Sequence, residues 1–278
     1  MTESPTFGEA DSYFTEELLI VTKTYPVPSR DYIETTCVAA ISSQGELRRL
    51  YPVPFRLLER DTQFRRWEWI TAKIDRASSD LRPESHRVQA ESIVRGQKVD
   101  TSNNWNERLT WLRPHVRASF SELEDIRNRQ RTSLGILKPT RPCQLKITPA
   151  KDSEWSEKRK QALVQDGLFH SEDVRKRPLL KKLPYDFYYV YEIDTANGTE
   201  RLEHMITDWE IGMLFWHCYY SPDWESKFRA KLEGEFSKKD MYLILGTMHR
   251  FPKQWLIIGL VYPPMPNAKL VEQLGFQF

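Results

Sequence analysis

The sequence has little glycine and little cysteine, and both shortages argue against familiar kinds of enzyme. Only 11 of the 278 residues are glycine, and neither the phosphate-binding pattern G-x-x-x-x-G-K-S/T nor the dinucleotide-binding pattern G-x-G-x-x-G occurs. The nucleophile elbow G-x-S-x-G is missing as well. The 3 cysteines are scattered and never spaced as C-x-x-C, so neither a disulfide framework nor a zinc ribbon is indicated. We therefore predict no cofactor and no metal site, and the sequence identifies no catalytic residue.

Long apolar runs are also missing. No stretch reaches the roughly 18 residues that a membrane-spanning helix needs. The N-terminal segment MTESPTFGEADSYFTEE is acidic and polar, without the basic start and apolar core of a signal peptide. We therefore expect a cytoplasmic protein that has no membrane partner.

Positive charge is unevenly distributed along the chain. The net charge is +2, but residues 48–146 carry 21 lysines and arginines against 12 acidic residues, a surplus of 9. Arginine dominates the first half, since 18 of the 24 arginines precede residue 150, whereas 12 of the 17 lysines follow it. The planar guanidinium group suits phosphate recognition and stacks on aromatic rings. The first half is therefore predicted to have an anionic partner.

These patterns predict four segments. They are a disordered acidic tail over 1–15, an arginine-rich and β-rich module over 16–148, a linker or solvated helix over 149–182, and an α+β module over 183–278. The predicted fold is α+β. A small antiparallel β-barrel-like module with a few helices precedes a C-terminal ββααββ antiparallel sheet that has its helices on one face.

The N-terminal module is predicted from short strands. ELLIVTKTYPVPSR is typical of a strand that ends at prolines, and IETTCVAAIS and ELRRLYPV form a hairpin around Gly45. Alternation in RRWEWITAKIDR places Trp67 and Trp69 on one face and Ile70 on the other. We predict mostly loop from about residue 80 to residue 104, and a helix in SFSELEDIRNRQR that is capped by Ser119 or Ser121.

The C-terminal module has sharper signals. Asn197-Gly198 joins two strand-like segments and strongly indicates a hairpin. Thr207 and Glu210 have the spacing of a capping box, which predicts a helix from Asp208. A second helix is predicted after Ser221-Pro222, followed by the two apolar strands MYLILGTM and QWLIIGLVY.

Aromatic residues and arginines are interleaved in the basic segment, as in sites that bind single-stranded nucleic acid. In such sites, cations contact phosphates and aromatic rings stack on bases. The same residues also have a structural interpretation, in which the tryptophans build the barrel core and the arginines pair with acidic side chains. The predicted nucleic-acid-binding residues are Arg48, Arg49, Tyr51, Arg56, Arg65, Arg66, Trp67, Trp69, Arg108 and Arg113.

These features favour a non-catalytic protein that binds DNA or RNA, acting as an accessory subunit in nucleic-acid processing or in defence against foreign DNA. Two alternatives stay open. The aromatic C-terminal module would also suit a scaffold, with a protein partner or a second copy of the chain bound there. A metal-dependent nuclease of an undetected class would use Asp186, Glu192 or Asp194, although no lysine accompanies these carboxylates on the predicted strands.

Other reactive side chains have structural interpretations. The densest group of metal-ligand types is His204, Asp208, Glu210, His217 and Cys218. Asp208 and His217 are predicted on roughly opposite sides of one helix, so they are not expected to share a metal. Cys37 lies in an apolar strand, where it is expected to be a small buried hydrophobe rather than a thiol site with His86 or His115.

The stretch LRRLYPVPFR, residues 47–56, concentrates arginine, aromatic residues and proline. Alternation places Arg48 and Leu50 on one face of a strand, with Arg49 and Tyr51 on the other. Pro52 is predicted to end the strand, because proline cannot donate to a neighbouring strand. Arg49 with Tyr51 is therefore the leading pair for nucleic-acid contact.

Overall fold

The computed structural model describes residues 13–77, 80–164 and 177–266. Within these residues the chain is mixed α+β, with two β-sheets and 5 helices, which confirms the predicted fold class at this level. Residues 1–12 of the predicted acidic tail, residues 165–176 of the predicted linker and the C-terminal residues 267–278 lie outside the described part. The first strand begins at Phe14, inside the segment predicted as tail.

The first sheet closes into a five-stranded barrel. Its path runs β1-β3-β4-β6-β5, and β5 also pairs with β1. Two further strands pair at its margin, β2 with β3 and β7 with β5. The strands are β1 (Phe14–Lys23), β2 (Val27–Ser29), β3 (Ile33–Ser42), β4 (Leu47–Val53), β5 (Glu68–Arg76), β6 (Ser85–Val88) and β7 (Val94–Lys98).

Alternation along the strands fills the barrel. Leu18, Leu50 and Ile70 belong to one buried cluster inside it, whereas Leu19 and Ile41 point outward into a second cluster. The predicted alternation is confirmed, because Leu47 and Trp69 contact the outer cluster while Leu50 and Ile70 lie in the inner one. The prediction that Pro52 ends the strand is wrong, because β4 continues through Pro52 to Val53. The prediction of mostly loop over residues 80–104 is wrong, because β6 and β7 lie there. Both strands are short and polar, so their pairing with β4 and β5 leaves little trace in the sequence.

The second sheet has seven strands in the order β10-β11-β12-β14-β13-β9-β8. Its strands are β8 (Val116–Arg117), β9 (Leu134–Leu137), β10 (Gln144–Pro149), β11 (Tyr185–Thr195), β12 (Gly198–Ile206), β13 (Tyr242–Thr247) and β14 (Trp255–Val261). The predicted ββααββ sheet is antiparallel throughout, whereas in the structure β12 pairs with β14 in parallel. Strands β9 and β10, which the sequence grouped with the arginine-rich module, pair with β13 and β11 of this sheet.

The helices are α1 (Ser102–Leu112), α2 (Phe120–Gln130), α3 (Glu157–Leu163), α4 (Trp209–Tyr219) and α5 (Trp224–Arg229), and a π-helical turn over Ala230–Glu235 follows α5. Of the two predicted caps of α2, the Ser119 hydroxyl is the one that accepts a hydrogen bond from the Glu122 amide, at 2.9 Å. The cap of α4 differs from the prediction. The Asp208 carboxylate, not Thr207, accepts the Glu210 amide at 2.6 Å, because the helix begins one residue later.

Aromatic packing fixes α4 on the second sheet. Phe215 of α4 is 0% exposed, and its ring lies 5.2 Å from that of Phe187 in β11 and 6.1 Å from that of Phe228 in α5. The surrounding cluster includes Tyr189 and Tyr191. They occupy every second position after Phe187 and so share the covered face of β11 with it. This face therefore forms the core of the C-terminal half.

The barrel packs directly against the second sheet. Leu19 and Ile41 of the barrel share a buried cluster with Leu134 and Ile258 of the sheet. The backbones come so close that a Cβ atom on Gly259 would lie 2.7 Å from the Cβ of Thr22. The Thr22 hydroxyl also donates to the Ile258 carbonyl at 2.7 Å. Glycine at 259 is therefore required for this approach.

A buried histidine in β12 makes stability depend on pH. The Nδ1 atom of His204 lies 2.9 Å from the Tyr191 hydroxyl, and burial lowers the pKa of His204 from 6.5 to about 4. Between these pH values the unfolded chain binds a proton that the folded chain does not, so this residue destabilises the fold as pH falls from about 6.5 to 4.

We therefore expect His204→Gln to remove that sensitivity. The stability of the wild type relative to this variant should fall by about 3 kcal/mol between pH 7 and pH 4, measured by urea unfolding at each pH. His217→Gln changes an exposed histidine and serves as the control. An equal pH response in wild type and His204→Gln would contradict the assignment.

Candidate nucleic-acid interface

Arg48, the first predicted site residue, is held by acidic neighbours. Its guanidinium donates two hydrogen bonds of 2.9 Å to the two carboxylate oxygens of Glu16, and it also pairs with Glu46. Its side chain is 14% exposed. Arg48 therefore stabilises the barrel, and we do not include it in the interface.

Arg49 lies at the junction between the barrel and the second sheet. It is 4% exposed, and one of its Nη atoms donates to the Ser133 carbonyl at 2.8 Å and to the Ser133 hydroxyl at 3.0 Å. That hydroxyl donates to Glu84 at 2.7 Å, so Ser133 connects a buried cation to a buried anion. The other Nη atom lies 3.2 Å from the Sγ of Cys37. Arg49 is therefore too deep to contact a polymer.

Two atoms of this cluster have no hydrogen-bond partner within the described part of the chain. They are the Nε of Arg49 and the Oε2 of Glu84. Arg49 and Glu84 are linked through Ser133, and no direct ion pair between their charged groups is present in the described residues. A buried cation without a direct carboxylate partner is costly, so the fold depends on the Ser133 link.

Arg56, which follows β4, is also bound by groups of the protein. It donates to the buried carboxylate of Glu34 at 3.1 Å and to the Pro178 carbonyl. Burial raises the pKa of Glu34, and the positive charges of Arg56 and Arg177 oppose that rise. The side chain of Arg56 is 20% exposed, and both of these hydrogen bonds are made to groups of the protein itself.

Two further arginines bind backbone carbonyls. Arg66 donates to Val21 and Leu260, both at 2.6 Å, which ties β1 to β14. Arg108 is 5% exposed and donates to the Val99 carbonyl at 2.7 and 3.0 Å. Neither guanidinium group is directed to a surface groove.

The remaining predicted residues differ in exposure. Trp67 is 3% exposed, but it lies in the cluster between the two sheets and not in the barrel core, where the structural interpretation placed it. Trp69 is half-buried and meets Trp111 edge to face. Arg65 and Arg113 are exposed. Tyr51 is 46% exposed, so the pair predicted to act together is divided: Tyr51 faces solvent and Arg49 does not.

Tyr51 is part of a larger exposed surface. We call this the Tyr51 surface and define it by the exposed side chains of Tyr32, Tyr51, Leu81, Met248, Arg250 and Phe251. Its last three members lie on the loop between β13 and β14. This loop is held against the barrel because Arg82 donates to the Thr247 carbonyl at 3.0 Å, and His249 lies 3.6 Å from Asp80.

Charged side chains surround Tyr51 and lie on the neighbouring loop. Burial raises the pKa of Tyr51, and the positive charges of Arg250 and Arg82 act in the opposite direction. Burial would also raise the pKa of Asp80, but hydrogen bonds from Arg82 outweigh it and hold that pKa well below its usual range. Asp80 and Arg82 thus neutralise each other, and the loop adds the exposed cations Arg250 and Lys253.

The carboxylates of the nuclease alternative lie elsewhere and are mostly paired. Arg141 binds Glu192 at 2.7 Å and Asp194 at 3.0 Å on the outer face of β11. Burial raises the pKa of Asp186 on the same strand. Among the described residues, no group of three or more histidine, cysteine and acidic side chains has the arrangement to hold a metal.

Comparison with known families divides the chain at the point where it passes from one sheet to the other. Residues 14–114 match a domain of unknown function, DUF8758, and residues 116–275 match a second one, DUF8757. The chain belongs to the DUF8757 family. Among curated proteins, none matches this sequence. The DUF8757 match begins at Val116, the first residue of β8 and of the second sheet.

Sequence reasoning found only Tyr51 among the six residues of the Tyr51 surface in this DUF8757 protein. Met248, Arg250 and Phe251 come from the loop MHRFPKQ, which lies about 200 residues after Tyr51. A signal was present, because a loop of cations and one aromatic residue separates two very apolar strands.

In the described residues, no helix is both long enough and apolar enough to cross the bilayer.

Proposed function

We propose that the Tyr51 surface binds single-stranded DNA or RNA without cleaving it. Tyr32, Tyr51 and Phe251 would stack on bases, and Arg250 and Lys253 would contact phosphates. One observation carries the proposal: the exposed aromatic side chains of this surface lie beside the exposed Arg250, whose charge acts on Tyr51, although most of the predicted arginines are bound internally. This role is that of an accessory subunit in nucleic-acid processing or in defence against foreign DNA.

The proposal predicts which substitutions weaken binding. Tyr51→Ala should remove one stacking platform and weaken binding about tenfold, since stacking of one base contributes about 1–3 kcal/mol. Arg250→Glu should weaken it by a similar factor through lost phosphate contact and added repulsion. Binding is measured by fluorescence anisotropy with labelled 12-nucleotide oligo(dT) and oligo(rU).

Matched variants on other surfaces provide the controls. Tyr220 directly follows α4 and is 70% exposed, and Arg201 has a side chain that is 65% exposed on β12. Tyr220→Ala and Arg201→Glu should leave affinity within about twofold, the usual scatter for residues outside an interface. If these controls weaken binding and the Tyr51-surface variants do not, the proposed surface is wrong.

A protein-interaction role is the second candidate, and it has an observation of its own. Met213 and Tyr220 on and just after α4 are 47% and 70% exposed, and Leu179 is 61% exposed. Lys181 donates to the Tyr220 hydroxyl at 2.8 Å. If the chain self-associates through this face, light scattering will give a mass that rises with concentration, and Tyr220→Glu will abolish the rise.

A further inference from the structure

An open cleft on the outer wall of the barrel is separate from the Tyr51 surface. It has a volume of about 360 Å³ and lies between α1 and the strands β1, β5 and β7. This volume falls within the usual range for small-molecule sites. Trp69 of β5 and Trp111 of α1 form its apolar wall, with ring centroids 5.1 Å apart and ring planes at 79°.

The charge of the cleft is unusual for a protein with so many arginines. Glu17 is the one formally charged residue among the described residues that line it, and the other polar lining groups are the neutral side chains of Ser43, Thr71 and Gln97. No side-chain hydrogen bond or ion pair of the exposed Glu17 carboxylate is seen within the described part of the chain. Negative charge and electron-rich indole rings repel a phosphate, so this cleft does not suit a nucleic-acid backbone.

The same combination suits a cation that carries apolar groups. Aromatic faces attract alkylammonium ions through the ring quadrupole, and tryptophan does so best. A neighbouring carboxylate adds a Coulombic attraction that a neutral ligand of the same shape does not feel. We propose that the Trp69–Trp111 cleft binds an alkylammonium head group, such as a quaternary ammonium ion or a methylated lysine side chain.

Choline is the probe for this site, and 3,3-dimethylbutan-1-ol, its neutral carbon isostere, is the matched control ligand. By ligand-observed NMR or calorimetry, choline should bind the full chain at least about fivefold more tightly than the isostere, because only the cation gains the aromatic and Coulombic attraction. A short peptide with one trimethyllysine is the third ligand. Tighter binding of the peptide than of choline assigns the head group to a protein, and the reverse order assigns it to a small molecule.

Variants connect this binding to the named residues. Glu17→Gln removes the charge at an exposed position and should weaken choline binding about fivefold or more while leaving the isostere unaffected. Trp111→Ala should abolish choline binding, and circular dichroism checks its fold. Glu157→Gln, an exposed carboxylate on α3, should have no effect. Equal affinity for choline and the isostere, or unchanged choline affinity in Glu17→Gln, would overturn the proposal even if Trp111→Ala is unfolded.

Discussion

Arg49→Ala should destabilise the protein by about 3–5 kcal/mol, because removing one member of a buried charged network leaves the other uncompensated. The substitution deletes the hydrogen bonds to Ser133 and leaves the Glu84 carboxylate buried without its linked cation. It also opens a cavity between the two sheets. Urea unfolding followed by circular dichroism measures the loss as a change in the midpoint.

Two further variants separate this explanation from a general effect of removing arginine. Arg65→Ala changes an exposed arginine and should cost at most about 0.5 kcal/mol. In a Glu84→Gln background, Arg49→Ala should cost at least about 1 kcal/mol less than in the wild type, since the two residues are coupled through Ser133. If the stability losses of Arg49→Ala and Glu84→Gln were strictly additive, Arg49 and Glu84 would not be coupled.

Phe215→Ala should destabilise the protein by about 3–5 kcal/mol, the usual cost of deleting a buried phenylalanine ring. Phe215 is fully buried, and its ring lies 4.9 Å from that of Tyr219 and 5.4 Å from that of Trp224, besides its contacts with Phe187 and Phe228. These contacts hold α4 and α5 on the second sheet. Thermal unfolding and urea unfolding should give the same loss of stability for Phe215→Ala.

A less severe change at the same site provides the comparison. Phe215→Leu retains most of the apolar volume and should cost roughly half as much as Phe215→Ala, because the remaining cavity is smaller. Met213→Ala on the exposed side of the same helix should have an effect below about 1 kcal/mol. A loss below 1 kcal/mol for Phe215→Ala would contradict the assignment of this ring to the core.

Local patterns in the sequence were sufficient to predict many of the strands and helices. Alternation in β5 correctly places Ile70 on the face opposite Trp69, because the side-chain period of a strand is fixed at two. It does not show which face lines the barrel, and the interior is the face of Ile70 rather than that of the tryptophans. Capping chemistry correctly includes Ser119 as one of two candidates for the start of α2. These features depend on residues that are close in sequence.

Contacts between distant segments could not be derived in this way. The partners of Arg49 and Arg66 are Ser133 and Leu260, which the fold brings to them from the second sheet. Charge and composition reveal that a segment is rich in arginine, but not whether each guanidinium faces solvent. The Trp69–Trp111 cleft likewise depends on how α1 packs on the barrel. Of the predicted residues, Tyr51 is therefore exposed and stays a prediction for binding, whereas most of the predicted arginines are bound within the protein.

The salt dependence of single-stranded nucleic-acid binding tests the proposed interface most directly. With Arg250 and Lys253 as its phosphate contacts, the plot of log affinity against log salt concentration for oligo(dT) should have a slope of about −1 to −2. A slope steeper than about −4 would require many more cations than the Tyr51 surface offers. That slope, or no measurable binding even at low salt, would contradict the account.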